Sequence, residues 1–151
     1  HRVDDGLPLR KAALSCVDTM LGNPQLRATL DVHEVLGRAA TLLVDDAEVK
    51  SQMHSILRKL CVSSASHVAN HFEALIEPLK NTIQPKKMPE GSGPEVERAF
   101  NTMRSGCRLI ADLSRVHNHM GTVCRPFDDF LEASRRLEKV GDIIDGFTKN
   151  G

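Results

Sequence analysis

The sequence has neither tryptophan nor tyrosine, and only five phenylalanines among its 151 residues. Stacking platforms for nucleic-acid bases need exposed aromatic rings, and these are almost absent. Positive charge is not in surplus either: 20 Lys and Arg balance 20 Asp and Glu. A sequence-independent grip on nucleic acid depends on such a surplus to displace counterions, so no nucleic-acid partner is expected. No apolar run approaches the roughly 20 residues needed to cross a bilayer, so no membrane partner is expected. The first residues are charged and lack the apolar stretch of a signal peptide. An initiator Met is also missing, since the chain starts His1-Arg2; this points to a piece of a longer protein. Four cysteines, Cys16, Cys61, Cys107 and Cys124, are scattered without a CxxC pair. They read as reduced thiols of an intracellular protein, mostly small core fillers. Neither GxxxxGK nor GxGxxG occurs, so no phosphate-cradling loop is expected.

What is present is helical periodicity. Hydrophobic residues are 40% and charged residues 26% of the chain, globular values for one ordinary domain. Apolar residues recur at three- and four-residue spacing almost throughout. Ala13, Val17, Met20 and Leu21 share one face; Val32, Val35, Leu36, Ala39, Ala40 and Leu43 share the next. Val49, Met53, Ile56, Leu57 and Leu60 make a third face, and Phe72, Leu75, Ile76, Leu79 and Ile83 a fourth. A long fifth carries Val96, Phe100, Met103, Cys107, Ile110 and Leu113. The last holds Phe127, Phe130 and Leu131, then Leu137, Val140, Ile144 and Phe147. No run alternates with period two for long enough to make a central strand. Gly22-Asn23-Pro24 stops the first helix, and Asp45-Asp46 offers an N-cap to the third. The segment 84–94, QPKKMPEGSGP, reads as a flexible loop, with Pro94 suited to the first turn of the following helix. Pro78 either kinks the fourth helix or starts its second half.

Shifting the chain by 40 residues places Leu9-Arg10 on Val49-Lys50, Val17 on Leu57 and Met20 on Leu60. The pairs Asp4-Asp5 and Asp45-Asp46 are offset by 41. A period near 40 built from paired helices is that of HEAT or armadillo units, in which stacked neighbours bury what one pair cannot. The expected fold is an all-α, HEAT/armadillo-like helical-repeat solenoid of about three helix pairs, one domain over residues 1–151. Within it Asp4 and Arg10 have the spacing of a structural repeat ladder: the aspartate can cap a helix, and the arginine can reach a neighbouring repeat's aspartate.

Chemistry-bearing constellations are sparse. His67 and His71 stand four apart but have no glutamate between them of the HExxH kind. His117, His119 and Cys124 resemble a ligand set that lacks a fourth member. Asp4-Asp5, Asp45-Asp46 and Asp128-Asp129 each sit near a helix start, where they favour the dipole. Lys86-Lys87 and Arg135-Arg136 are isolated basic pairs. The expectations are therefore no enzyme, no cofactor, no metal and no small-molecule substrate.

The stretch Val3-Asp4-Asp5-Gly6-Leu7, followed by Leu9-Arg10-Lys11-Ala12-Ala13 and Cys16, resembles a segment near the end of the Cand family. These are the cullin-associated, neddylation-dissociated proteins, also called TATA-binding-protein-interacting proteins. Leu75 to Ile83, LIEPLKNTI, is similar to a second segment of that family and favours Pro78 inside a helix. Pro8 stands where the family has an acidic residue. The resemblance implies a C-terminal piece of a long HEAT solenoid that wraps unneddylated cullin–RING ubiquitin ligase scaffolds. Its arch embraces the cullin's N-terminal region, and a β-hairpin competes with substrate adaptors and lets them exchange. His1, Arg2 and Val3 would be the stump of that hairpin's second strand and the protein-binding residues. The expected location is cytoplasm and nucleus. Two alternatives stay open: a HEAT scaffold of another kind, such as a transport receptor or phosphatase scaffold, and a helical metal-dependent enzyme using His117, His119 and Cys124.

Overall fold

Capping and apolar periodicity divide the chain into helices, as seen in a computed structural model that describes residues 4–121 and 123–149. In order these are α1 (Leu7–Leu21), α2 (Pro24–Arg27), α3 (Val32–Leu42), α4 (Ala47–Ser63), α5 (Ala65–Ala69), α6 (Phe72–Ile83), α7 (Pro94–Met120), α8 (Arg125–Arg136) and α9 (Glu138–Lys149). No strand occurs among the described residues. Side-chain caps fix three of the starts. Asn23 accepts from Gln25 N at 3.0 Å, Asp31 from Glu34 N at 3.1 Å, and Asp46 from Glu48 N at 2.9 Å. Each bond satisfies an amide that the helix itself leaves without a partner. Pro24 and Pro94 sit at first helical positions, where the missing N–H costs nothing. Pro78 lies within α6, which runs unbroken past it.

Two rows of helices result. One is α1, α4, α7 and α9, each packed on the next; the other is α3, α6 and α8. Contacts of α3 with α4, α6 with α7 and α8 with α9 join the rows. This is the two-layer stacking of an all-α, HEAT/armadillo-like solenoid. Leu7 and Ala47, which open α1 and α4, are 40 residues apart, whereas α7 opens 47 after α4 because the segment 84–93 intervenes. Between the rows lies a continuous core. Val49, Met53, Ile56, Leu57 and Leu60 of α4 are fully buried, as are Leu75 and Leu79 of α6 and Leu109, Ile110 and Leu113 of α7. Phe72 and Phe127 stack at a centroid distance of 4.2 Å and join α6 to α8.

The structure departs from the apolar pattern at four places. Leu14, not Ala13, is the buried residue of mid-α1; Ala13 lines an open groove of about 420 Å³ between α1 and α3. Leu9 is 74% exposed although its repeat equivalent Val49 is fully buried. Among the described residues α4 has a neighbour on each side in its row, α1 and α7, whereas α1 has α4 alone in that row. Phe100 is 41% exposed. Helix α7 has 27 residues, about 40 Å at 1.5 Å per residue, and its 12-residue neighbour α6 cannot cover its first turns. Cys16 is exposed, so it fills no core, while Cys61 and Cys107 do.

One glycine is fixed by sterics. A Cβ on Gly141 would lie 2.2 Å from the carbonyl oxygen of Arg135, because α9 turns back against the end of α8. Main-chain atoms cannot yield as a side-chain tip does. Gly141→Ala is expected to cost about 1–3 kcal/mol by overpacking. Gly146→Ala, with open space around its Cβ, is expected to stay within about 0.5 kcal/mol of the parent or slightly above it. Equal urea midpoints for the two variants would show that the α8–α9 junction is looser than described.

Candidate protein-interaction surface

Polar chemistry concentrates on the outer face of the α1, α4, α7 and α9 row. At its start Arg10 holds two carboxylates. Its Nη2 lies 2.7 Å from Asp4 Oδ2, and its Nε lies 2.8 Å from Asp45 Oδ2. Asp4 does not cap α1: that position is Gly6, and no side chain caps there. Its carboxylate instead meets the guanidinium. Hydrogen bonding to Arg10 holds both Asp4 and Asp45 below the usual carboxylate range and raises Arg10 above its own. Further along, Gln52 donates to Lys11 O at 3.0 Å and to Ser15 Oγ at 3.1 Å, and Lys59 pairs with Asp18 at 2.6 Å. Arg58 of α4 donates to Asp112 of α7 at 2.8 Å, and Arg115 pairs with the same carboxylate. Arg115 also donates to the Phe147 carbonyl in α9. These bonds tie the row together across its outer edge.

Two pockets open between α4 and α7 on this face. One, of about 500 Å³, is lined by Ser55, Arg58, Lys59, Cys61, Asp112 and Arg115, with Val62 and Val116 beside them. The other, of about 240 Å³, is lined by Ser51, Ser55 and Arg58 of α4, Asn101, Arg104, Ser105 and Arg108 of α7, and Phe147 of α9. The guanidinium carbons of Arg104 and Arg108 each lie 5.6 Å from the Phe147 ring centroid, within cation–π range. Nothing in the linear sequence marks this pocket. Arg104 and Arg108 are an i, i+4 pair, but Arg58 and Phe147 join them only through packing.

The residues singled out from sequence are otherwise dispersed. His1, Arg2 and Val3 lie outside the described residues. His117 Nε2 lies 2.9 Å from Asp128 Oδ1, and its ring packs near those of Phe72 and Phe127. His119 is exposed and Cys124 half-buried at the N-cap of α8. His71 Nδ1 lies 3.0 Å from the His67 carbonyl oxygen, and the His71 ring meets His33 edge-on at 5.4 Å. Among the described residues, no group of three or more His, Cys, Asp or Glu side chains gathers in a metal-holding arrangement. Burial pushes the Cys61 thiol up to about 12 and the Cys107 thiol up to about 11, so both stay protonated at neutral pH and are poor nucleophiles. Among the described residues no helix is long and apolar enough to cross a membrane.

Comparison with known proteins gives one consistent family. Residues 1–135 match the family described as TATA-binding protein interacting (TIP20). The chain is 34% identical over 119 residues to cullin-associated NEDD8-dissociated protein 1 of Arabidopsis thaliana, covering 78% of this chain and 10% of that protein. It is 25% identical over 150 residues to the protein of the same name in Drosophila melanogaster, covering 99% of this chain and 12% of that one. Similarity to cullin-associated NEDD8-dissociated protein 2 of Rattus norvegicus is 31% over 113 residues, 75% of this chain and 9% of the relative. The chain thus spans about a tenth of the length of these relatives. No solved structure matches it. An all-helical repeat with the Asp4–Arg10–Asp45 cluster at its start, matched over residues 1–135, belongs to the TATA-binding-protein-interacting family, the family of the cullin-associated NEDD8-dissociated proteins.

Proposed function

We propose that this chain is a protein-interaction module of a cullin-binding exchange factor. In this reading the parent protein wraps unneddylated cullin–RING scaffolds, competes with substrate adaptors and acts as a binding protein rather than an enzyme, in cytoplasm and nucleus. The carrying observation is the family match over residues 1–135 together with relatives named as cullin-associated. The geometry is in keeping with it: a solenoid presents an extended face instead of a deep cleft, and extended contact suits wrapping. His1, Arg2 and Val3 are proposed as the end of a hairpin strand that reaches the adaptor site. Asp4 and Arg10 are proposed to hold that strand's exit against α1 and Asp45.

A solenoid that wraps its partner spreads contact over many segments, and a separated segment loses the effective concentration that linkage provides. The 151-residue chain is therefore expected to bind the N-terminal domain of an unmodified cullin with a Kd of about 1 μM or weaker. Restoring the upstream strand is expected to tighten binding at least about tenfold. Titrating both forms against one cullin domain checks this. If the short form already binds in the nanomolar range and the longer one no better, the contact lies on the helices after Leu7 and not on His1, Arg2 and Val3. No binding by either form, or by the whole parent protein, would remove the cullin reading.

A further inference from the structure

A chain with zero formal net charge nonetheless concentrates one sign of charge in the groove between α4 and α7. Arg58, Arg104, Arg108 and Arg115 line its two pockets, and among the described residues the carboxylate bonded to any of them is Asp112 alone. That carboxylate serves Arg58 and Arg115. Arg104 and Arg108 are instead held over the Phe147 ring, which positions two guanidiniums without neutralising them. Ser51, Ser55 and Asn101 add hydroxyl and amide donors along the same wall. Arginine forks in this setting accept planar oxyanions in bidentate fashion.

From this arrangement we infer that the α4–α7 groove is a docking track for an acidic peptide segment of a protein partner, bound through successive Asp or Glu carboxylates. The two pockets share Ser55 and Arg58 and so run on from one another. A track with several separate guanidiniums fits a chain of carboxylates better than one phosphoryl group. Nucleic acid is disfavoured because, among the described residues lining the groove, Phe147 is the one aromatic ring, and two arginines already lie over it. The inference rests on reading the chain as a protein-interaction module and names the chemistry of what this face touches.

The test uses the whole 151-residue chain and three blocked probes: a Glu hexapeptide, a hexapeptide with a single phosphoserine among Gln residues, and a thymidine hexanucleotide. The Glu peptide is expected to bind with a Kd of about 100 μM at low salt, to weaken as salt screens the charges, and to shift the amide resonances of Ser51, Ser55, Asn101 and Ser105. Arg104→Gln/Arg108→Gln is expected to weaken it at least about tenfold. The control Arg27→Gln/Arg98→Gln removes the same charge from exposed positions outside the groove and is expected to change Kd by less than about twofold. Asn101→Arg adds a guanidinium to the same exposed wall and is expected to tighten binding at least about threefold, a gain that misfolding cannot imitate. Four results overturn the inference: no binding by the parent chain, equal losses in the two double variants, no gain from Asn101→Arg, or a preference for the phosphopeptide or the oligonucleotide. A parallel cullin titration separates this from the function proposed above. Equal cullin affinity of the parent and Arg104→Gln/Arg108→Gln sinks the track as the cullin contact and leaves the cullin reading standing. Glu-peptide binding with no cullin binding even by the whole parent protein does the reverse.

Discussion

Leu57→Ala is expected to lower folding stability by about 2–5 kcal/mol, the range of buried leucine truncations. Leu57 is fully exposed to the core and not at all to solvent: its relative accessibility is 0%. It belongs to α4, which packs against α1 on one side and α7 on the other, with α3 closing the second row. A cavity opened there is walled by several helices and cannot collapse by moving one of them, which places the cost towards the upper part of the range. Lys87→Ala, in the exposed segment between α6 and α7, is expected to lie within about 0.5 kcal/mol of the parent. Urea unfolding of both variants beside the parent checks the pair. Coincident midpoints would mean that the α4 register is not the one described.

Mild acid is expected to weaken the fold through His54. This side chain is fully buried between α4 and α7, with Nδ1 2.9 Å from Ser105 Oγ and Nε2 without a hydrogen-bond partner among the described residues. Burial, with the Lys50 charge one turn away, pushes its pKa down to about 4 from 6.5. The unfolded chain therefore takes up a proton between pH 6.5 and 4 that the folded chain refuses. The stability that depends on neutral His54 is complete above pH 6.5 and is lost progressively as pH falls to 4. At 1.36 kcal/mol per pKa unit this amounts to about 3 kcal/mol. His54→Gln cannot titrate, so its stability profile across that interval is expected to be flatter than the parent's by about this amount. Parallel profiles for parent and variant would assign the acid sensitivity to other groups. Asp4 and Asp45 act in the same direction but lower on the scale. Their pKa values are depressed by Arg10, so their contribution is present above the usual carboxylate range and lost below it.

These residues differ in how far the sequence discloses them. Leu57 stands on a face with Val49, Met53, Ile56 and Leu60 whose spacing alone places it inside, and all five are buried. His54 sits in the same helix and carries no such mark. A histidine beside core positions reads equally well as a solvent-facing residue, and the packing of α7 through Ser105 and Gly106 is what brings neighbours onto it. A Cβ on Gly106 would meet Thr82 Cγ2 at 2.8 Å and His54 Cε1 at 3.8 Å. Gly141 is a similar case, since its reason is the Arg135 carbonyl, an atom of the preceding helix.

By itself the sequence determined the helical class, the near-40-residue spacing of α1 and α4, the cap at Asp46 and the family, through Val3–Leu7 and Leu9–Ala13. Those properties are local or linear: a hydrogen bond to the next turn, an apolar stripe, a run of identical residues. Only the tertiary structure decided that Leu9 and Phe100 face solvent, which aspartate of the next repeat Arg10 reaches, and that Arg58, Arg104, Arg108 and Phe147 line one pocket. The reason is that burial and electrostatic potential depend on distances between atoms of different helices. Twenty positive and twenty negative side chains sum to zero along the chain, yet the packing of α4, α7 and α9 brings Arg58, Arg104 and Arg108 to one pocket, where the local charges and not the total over the sequence set the potential.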